Sequence, residues 1–578
     1  MNYLYYGDNL DVLRRYIKDE SVDLIYLDPP FKSNQDYNVL FAEKDGAAAA
    51  SQFKAFEDTW EWNQPSAQAY EEVVEAGGKV SRVMQAFRGF LGTNDLLAYL
   101  TMMAPRLVEL QRVLKLTGSI WLHCDPTASH YLKLLMDAVF GPERMLNEVT
   151  WKRSSAHSDT KQGMKRCGRI RDILLVYCKS DSYTWNPIFT PYTPEYLESE
   201  YRHIAPDGRR YKETDLTAAR PGGDTEYEWR VKRRRGHHER WKADLNQEFE
   251  RQRPGHEYLG VRPYKGRFWA YSHQNMVEFA RANKLIHRST GMPRLMQFAD
   301  EMPGIPLQDL WDDIPPESGS LDLGYPTQKP EALLERIIRS SSNDGEIVLD
   351  PFCGCGTAIS VAERLKRKWL GIDITHLAIG LIKHRLRDAF GDRIRETYQV
   401  IGEPVSVPDA AELAKEDPFQ FQWWALGLVG ARRADKTRGA DQGIDGRLYF
   451  HDEPTGGKTK LIVLSVKSGH ASVKDLRDLR GVMEREKATI GVLLTLEEPT
   501  RAMKSESASG GFYKSPWGTH PRLQILTIAE LLQGKRINYP PSQQVNVTFK
   551  KAPKSRAHVE APTLLPFTLN PVPRLGQV

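Results

Sequence analysis

The sequence predicts an α/β protein whose strands form a mostly parallel sheet. Short apolar runs alternate with helical periodicity in two parts of the chain, before residue 150 and after residue 329. Strand–helix–strand units produce such an alternation, and their strands lie parallel. The chain has 578 residues, more than one hydrophobic core usually serves, so we expect several domains.

The first of these units opens the chain. We expect a strand over residues 3–6, a helix capped by Asn9, and a second, buried strand over residues 22–27. Residues 32–95 are predicted to be rich in loops. The remaining elements expected in this half are a helix from Asp95 to about residue 115, a strand over residues 119–123 and a helix over about residues 127–140.

The residues after the second strand form a first candidate site. Pro29 and Pro30 cannot continue the strand, because proline lacks an N–H group and fixes φ. Asp28 is therefore expected at a carboxyl strand end, where open α/β sheets bind ligands. The Asp28 carboxylate and the Pro29 carbonyl accept N–H groups, and the Phe31 ring offers a stacking face, so the set suits a planar amine. On these residues alone, a strand followed by a Pro-Pro turn is the alternative.

The alternation stops between about residues 150 and 320, where the chain is polar, aromatic and basic. Basic residues interleaved with tryptophan and tyrosine suit phosphate contacts and base stacking. A solvated, charged surface is the alternative interpretation. The candidate nucleic-acid-binding residues are Arg230, Lys232, Arg233, Arg234, Arg235, Lys265 and Arg267.

A second candidate site follows the return of the α/β pattern. A strand, a glycine-rich turn, a helix and a further strand are expected between residues 346 and 373. Gly354 and Gly356 allow the backbone to approach a ligand at a helix N-terminus. The turn begins with Asp350, and an acid there suits a cation better than a pyrophosphate. Asp373 ends the next strand, where nucleotide-binding folds place a ribose-binding acid.

Several of these stretches resemble motifs of amino-group DNA methyltransferases. Residues 350–357 resemble the S-adenosylmethionine motif of that family, and residues 28–31 resemble its catalytic Asp-Pro-Pro-Phe motif. The catalytic motif comes first, which is the permuted β-class order with target recognition between the two motifs. Gly7-Asp8 resembles the motif that contacts the cofactor adenine, and residues 325–330 resemble the motif beside its methionine moiety.

The resemblance implies a Rossmann-like, S-adenosylmethionine-dependent methyltransferase that acts on double-stranded DNA. It implies that the target base is flipped out of the duplex and that Asp28 orients its exocyclic amine. The aspartate favours adenine N6 as the acceptor; cytosine N4, an RNA substrate and a non-enzymatic DNA-binding protein are the alternatives. The implied catalytic residues are Asp28, Pro29, Pro30 and Phe31, and the implied cofactor-binding residues are Asp8, Thr327, Lys329, Asp350, Pro351, Phe352, Gly354, Gly356, Thr357 and Asp373.

A third unit resembles a restriction endonuclease. Asp445, followed by a strand that carries Ser465 and Lys467, resembles the PD-(D/E)XK core and the Gly-Ile-Asp-Gly pattern of modification-dependent endonucleases. The resemblance implies Mg²⁺ at Asp445 and a role for Lys467 in water attack on phosphate. Serine stands where that core has Glu or Gln, and serine is a poorer metal ligand. An active nuclease and a decayed nuclease kept for DNA binding or packing are therefore both open.

The composition of the chain indicates where the protein resides. Five scattered cysteines indicate a reducing compartment, and no signal peptide or long apolar run is evident, so we expect a cytoplasmic protein without a membrane span. A net charge of +5 does not by itself indicate binding to nucleic acid, and a homodimer is left open.

The expected domains are the catalytic half (1–150), the target-recognition insertion (151–320), the cofactor-binding half (321–400), a smaller α/β endonuclease-like domain (412–540) and a Pro-rich tail (541–578).

Overall fold

The computed structural model describes residues 1–30, 62–154, 165, 167–222, 224–236, 240–245, 253–316, 328–433, 443–450 and 459–540. The chain divides into two compact units. The first comprises Met1–Asn186 and Asp309–Val578, and the second comprises Pro187–Gln308.

The elements up to residue 186 are β1 (Asn2–Tyr6), α1 (Asn9–Tyr16), β2 (Val22–Leu27), α2 (Gln64–Glu75), α3 (Gly78–Leu91), α4 (Asp95–Val113), β3 (Leu114–Cys124), α5 (Ser129–Phe140), β4 (Met145–Lys152) and β5 (Arg171–Cys178). The second unit contains β6 (Phe189–Thr190), α6 (Pro194–Glu200), β7 (His203–Ile204), β8 (Arg210–Asp215), β9 (Thr217–Ala218), β10 (Trp229–Arg234), β11 (Lys242–Ala243), β12 (His256–Val261), β13 (Phe268–Trp269), α7 (His273–Arg281), β14 (Leu285–His287), β15 (Pro293–Phe298) and β16 (Ile305–Pro306).

The first unit resumes with β17 (Leu310–Trp311), α8 (Glu331–Ser341), β18 (Ile347–Asp350), α9 (Thr357–Arg364), β19 (Lys368–Asp373), α10 (His376–Phe390) and β20 (Tyr398–Ile401). The C-terminal elements are α11 (Val407–Glu416), α12 (Pro418–Leu428), β21 (Arg432–Arg433), β22 (Gly446–Phe450), β23 (Lys460–Lys467), α13 (Val473–Arg485), β24 (Ile490–Thr495), α14 (Arg501–Ser509), β25 (Phe512–Ser515), β26 (Gly518–Pro521), β27 (Leu523–Thr527) and α15 (Ile528–Leu532).

A nine-stranded sheet forms the centre of the first unit, in the order β17-β4-β5-β3-β2-β18-β19-β1-β20. The central strands run parallel, whereas β5 is antiparallel to both of its neighbours. All six residues of β2 are buried, as expected for a strand inside a parallel sheet with both faces covered. The predicted α/β fold with a mostly parallel sheet is confirmed.

The structure differs from the sequence-based expectations in several local features. The segment 32–95 includes two helices, α2 and α3. Asp8, not Asn9, caps α1, because its carboxylate accepts the Leu10 amide at 2.8 Å. The cap of α4 is Asn94, not Asp95.

The boundary expected for the recognition insertion also differs from that of the compact second unit. That unit begins at Pro187 and ends at Gln308, whereas the expected insertion is 151–320. The reason is that β5, placed in the insertion by its basic surroundings, pairs with β3 and β4 inside the large sheet. The tail 541–578 lies outside the described residues.

The second unit and the C-terminal part each have a core of their own. Buried tryptophans, among them Trp229 and Trp269, pack together in the second unit. The C-terminal part has a five-stranded sheet in the order β21-β22-β23-β24-β27, and Phe421 and Trp424 of α12 belong to its core. In the described part of the chain, no helix combines the length and the apolar character that crossing a membrane requires.

Candidate active site

Four adjacent strands bring acidic residues to one edge of the large sheet. Asp28 directly follows β2, Asp350 ends β18, Asp373 ends β19, and Asp8 lies two residues after β1. These strands are neighbours in the order β2-β18-β19-β1 and run parallel, so their carboxyl ends meet at the same edge. The two candidate sites of the sequence analysis are therefore parts of one site.

The turn after β18 depends on glycine. Gly354 and Gly356 have φ angles of +47° and +73°, in the left-handed region that side chains rarely adopt. A Cβ atom on Gly356 would lie 2.7 Å from Cγ1 of Ile382. The turn leads into α9, whose first residue, Thr357, accepts a hydrogen bond from Arg385 at 3.0 Å.

Asp373 holds this turn in place. Its Oδ2 atom accepts the Gly354 amide at 2.9 Å, and its Oδ1 atom accepts the amide and the hydroxyl of Thr375, both at 2.9 Å. Desolvation raises the pKa of Asp373 to about 6 and raises the pKa of the buried Asp350 carboxyl well above its ordinary value. Carboxylates in such surroundings are stabilised by a bound cation or by hydroxyl donors.

The turn after β1 is tied to the turn after β18 by side chains that the sequence analysis did not select. The Asn9 side-chain amide donates to the Pro351 carbonyl at 2.8 Å. Arg106, on α4, donates to Asp8 Oδ2 at 2.6 Å and to Asn9 Oδ1 at 2.5 Å. Nothing in one sequence marks Arg106, because it lies almost one hundred positions away from its partners and matches no motif.

Asp28 forms an ion pair with Lys329. The Lys329 ammonium donates to Asp28 Oδ2, and the two side chains are only 13% and 18% exposed. The resemblance implied a cofactor contact for Lys329, and in the structure its ammonium lies against the Asp28 carboxylate. Pro29 and Pro30 are buried beside Asp28. The predicted residues Phe31 and Thr327 lie outside the described residues.

A buried polar chain lies next to Asp28 in the sheet. The Tyr26 hydroxyl is 3.1 Å from His123 Nδ1, and His123 Nε2 is 3.1 Å from Asp172 Oδ2. Burial opposes ionisation of Asp172, but the His123 hydrogen bond and the Arg153 charge together hold its pKa below the ordinary value. The three side chains hydrogen-bond to one another inside the sheet. They thereby join β2, which leads directly to Asp28, to β3 and β5.

The predicted DNA-binding residues fall into three classes. Arg230 is 1% exposed, pairs with Asp244 at 3.4 Å and lies over the ring of Tyr258, so its assignment to phosphate contact is wrong. Burial of its guanidinium inside the second unit is the physical reason. Three residues bond to neighbours in their own unit, Lys232 to Asp244, Arg233 to Glu257 and Arg267 to Thr217, although the Arg267 side chain stays exposed. Arg234, Arg235 and Lys265 are exposed as well, and all six residues stay predictions for phosphate contact.

In the C-terminal part, the residues of the predicted nuclease site interact with their own chain. Asp445 Oδ2 accepts the Ser465 hydroxyl at 3.1 Å and the Val466 amide at 2.6 Å. Lys467 lies 3.2 Å from Asp475, the third residue of α13. Among the residues that the structure describes, no group of three or more His, Cys, Asp or Glu side chains is arranged to hold a metal ion.

The family follows from a comparison with known proteins. A profile described as DNA methylase, of the N6/N4 class, matches residues 22–384, which is more than half of the chain. The chain belongs to this DNA methylase family. It is a DNA amino-methyltransferase that uses S-adenosylmethionine, and its substrate is DNA. A second profile, described as NACHT-associated inactive restriction endonuclease 1, matches residues 420–533, so the C-terminal part of the methylase is similar to restriction endonucleases.

Individual relatives share either a low sequence identity over much of the chain or a higher identity over a short stretch. The methylase is 26% identical over 419 residues to the type II methyltransferase M.EcaI of Enterobacter cloacae, a match that covers 71% of this chain and 75% of that protein. It is 56% identical over 59 residues to the DNA adenine methyltransferase YhdJ of Escherichia coli K12, covering 10% of this chain and 20% of that protein. A solved M1.HpyAVI–SAM complex is 13% identical with a TM-score of 0.29, covering 66% of this chain and 98% of that one.

The residues at the sheet edge fit S-adenosylmethionine. The cofactor carries a positively charged sulfur and ribose hydroxyls, and the edge presents the buried carboxylate of Asp350 and the half-buried carboxylate of Asp373. The left-handed turn at Gly354 and Gly356 leaves backbone, without Cβ atoms, beside them. An acidic, glycine-lined edge of this kind suits a cation with a hydroxyl-bearing sugar.

Proposed function

We propose that the methylase transfers a methyl group to adenine N6 in double-stranded DNA. The observation that carries the proposal is the Asp28 carboxylate, which stands at the carboxyl end of β2 beside the glycine turn and is oriented by Lys329. A carboxylate there accepts an N–H of the exocyclic amine and leaves the nitrogen lone pair available to form a bond to the methyl group. The similarity to a relative named as an adenine methyltransferase supports adenine. Cytosine N4 is the second candidate.

The proposed mechanism is direct displacement, in which an N–C bond to the methyl group would form as its S–C bond breaks, and the sulfur would leave as a neutral thioether. S-adenosylmethionine, when bound, supplies that methyl group on a positively charged sulfur. Asp28 and the Pro29 carbonyl orient the amine, and Asp28 or water takes the proton that the nitrogen loses. Lys329 keeps the Asp28 carboxylate in position. Phe31 stacks on the flipped base in this proposal.

We assign the cofactor to the edge formed by β18, β19 and β1. Asp350 and the turn through Pro351, Phe352, Gly354, Gly356 and Thr357 surround the methionine and sulfur part in this proposal. Asp373 and Asp8 take the ribose and adenine part, and the Asn9–Pro351 hydrogen bond holds their two turns together.

DNA is contacted, in this proposal, by exposed basic residues of the second unit. Arg234, Arg235 and Lys265 are exposed and are assigned to phosphates. Loss of one phosphate contact lowers the slope of log K for DNA binding against log salt concentration by about one. This change distinguishes residues that contact phosphates from structural residues such as Arg230. We further propose a cytoplasmic location, which the scattered cysteines favour, and leave a homodimer as a proposal for sedimentation to test.

Sequencing that detects modified bases tests the assignment to adenine. The chain is expressed in a host without DNA methylation, and the genome is expected to show N6-methyladenine at one sequence motif. A host that carries Asp28→Ala is expected to show none, while the purified variant still binds S-adenosylmethionine by calorimetry. N4-methylcytosine at a motif would favour the second candidate. An unmodified genome with the wild-type chain would contradict both.

A further inference from the structure

The endonuclease-like domain contacts the part of the methylase that supports the cofactor edge. Gln420, on α12, is 5% exposed and is the first residue of the matched endonuclease-like region. Its Oε1 atom accepts the backbone amide of His376 at 3.2 Å, and that hydrogen bond is buried. His376 is the first residue of α10, three residues after Asp373.

This hydrogen bond satisfies a donor that the methylase cannot satisfy within α10. The first amides of a helix have no carbonyl partner inside the helix. The N-cap residue Thr375 accepts the amide of Ala378 with its hydroxyl, at 3.2 Å, and so leaves the His376 amide to another acceptor. Gln420 is that acceptor, so the end of α10 is completed by a side chain from the other domain.

A continuous series of contacts runs from this helix end to both cofactor turns. Thr375 donates its amide and its hydroxyl to Asp373, which in turn accepts the Gly354 amide of the glycine turn. The His376 ring stacks on Tyr6, with centroids 3.6 Å apart and planes 18° apart. Tyr6 is the last residue of β1, directly before Gly7-Asp8. The turns after β1, β18 and β19 therefore share one support, which Gln420 completes.

We propose that the endonuclease-like domain is a structural part of the cofactor site and that Gln420 is a positioning residue for S-adenosylmethionine. The domain is kept, on this proposal, because α12 holds the start of α10 and thereby the Asp373 carboxylate and the Gly354 turn. The proposal rests on the cofactor site described above and adds a second domain to it. It requires no nuclease chemistry.

Calorimetric titration of the 578-residue chain with S-adenosylmethionine tests this role. Gln420→Met keeps the size of the side chain and removes the acceptor, and we expect the Kd to rise about three- to tenfold, the value of one buried hydrogen bond. Gln420→Glu keeps an acceptor at a helix N-terminus, which favours negative charge, and should bind nearly as well as the wild type. Gln422→Met, two positions further along α12, is the matched control and should leave the Kd unchanged.

The outcomes separate this inference from the proposed function. If the wild-type chain does not bind S-adenosylmethionine, the cofactor site itself is contradicted. If the wild type binds and Gln420→Met binds equally well, or if Gln422→Met weakens binding as much, the positioning role is overturned. A lower melting temperature for Gln420→Met with an unchanged Kd would show a purely structural hydrogen bond and would also overturn it.

Hydrogen exchange on the wild-type chain provides a test that does not depend on a variant folding. Addition of S-adenosylmethionine should slow amide exchange at His376 and along α12, because the ligand stabilises the shared support. α13, on the sheet of the same domain, is the internal control and should not change. Equal exchange along α12 with and without the cofactor would overturn the proposal.

Discussion

At the scale of single residues, the four carboxylates of the site are stabilised by different kinds of partner. Arg106 pairs with Asp8, Lys329 pairs with Asp28, and N–H and O–H donors surround Asp373. Asp350 is 3% exposed and accepts the Phe352 amide. The carboxylates nearest the glycine turn are thus the ones that rely on backbone and hydroxyl donors, as the cofactor position proposed above requires.

Cofactor affinity should depend on pH through Asp373. Its pKa of about 6 lies above the ordinary value, so the carboxyl is mostly protonated at pH 5 and mostly ionised at pH 7. Ribose hydroxyls and a sulfonium both favour the ionised form. We therefore expect S-adenosylmethionine to bind about tenfold more tightly at pH 7 than at pH 5, measured by calorimetry. Asp373→Asn should bind more weakly and lose the dependence, and a flat wild-type profile would contradict this assignment.

Lys329 should affect catalysis more than cofactor binding. Its ammonium is the partner of Asp28, and removal of one partner from a largely buried pair leaves the other poorly oriented. Lys329→Met is expected to lower kcat about ten- to hundredfold, whereas Lys329→Arg retains more activity. The Kd for S-adenosylmethionine, measured in parallel, should change little. A large rise in Kd with an unchanged kcat would instead support the cofactor contact that the sequence resemblance implied.

At the scale of elements, the sequence predicted the strands and turns that are marked by the residues within them. The strands at 3–6 and 22–27 and the strand–turn–helix around Asp350 were predicted because apolar runs, prolines and glycines mark them. β5 was missed although Ile173–Cys178 is an apolar run, because the surrounding residues are polar and basic. Arg230 was misjudged because its partner, Asp244, pairs with it only after β10 and β11 come together. Contacts between distant elements leave no mark in a single sequence.

The contact between α4 and the turn after β1 should control cofactor affinity. Arg106 donates to both Asp8 and Asn9, and Asn9 reaches the turn after β18. Arg106→Ala is therefore expected to raise the KM for S-adenosylmethionine about five- to tenfold while kcat changes less, in steady-state methylation assays. Arg88→Ala, an arginine over the ring of Tyr70, is the control variant. An effect on kcat alone would contradict the positioning role of Arg106.

At the scale of the whole molecule, one methylase sheet is interrupted by a separate compact unit and followed by a second α/β sheet. The sequence could predict this order of parts, because each part begins with its own motif or composition. It could not predict that α12 would meet the methylase at the start of α10, because Gln420 and His376 lie 44 positions apart and come together only in the folded chain. The endonuclease-like region therefore has a contact to the start of α10 that does not involve Asp445 or Lys467.

The 578-residue chain is expected not to cleave DNA. Mg²⁺-dependent cleavage in the resembled core requires two metal ligands and a lysine near the scissile phosphate. Here Ser465 replaces the second ligand and donates to Asp445, while Lys467 is paired with Asp475. Incubation of supercoiled methylated and unmethylated plasmids with Mg²⁺ should leave them intact, and Asp445→Asn should methylate DNA as the wild type does. Nicking by the wild type that Asp445→Asn abolishes would show instead that Asp445 still binds a metal ion, and that the chain both modifies and restricts DNA.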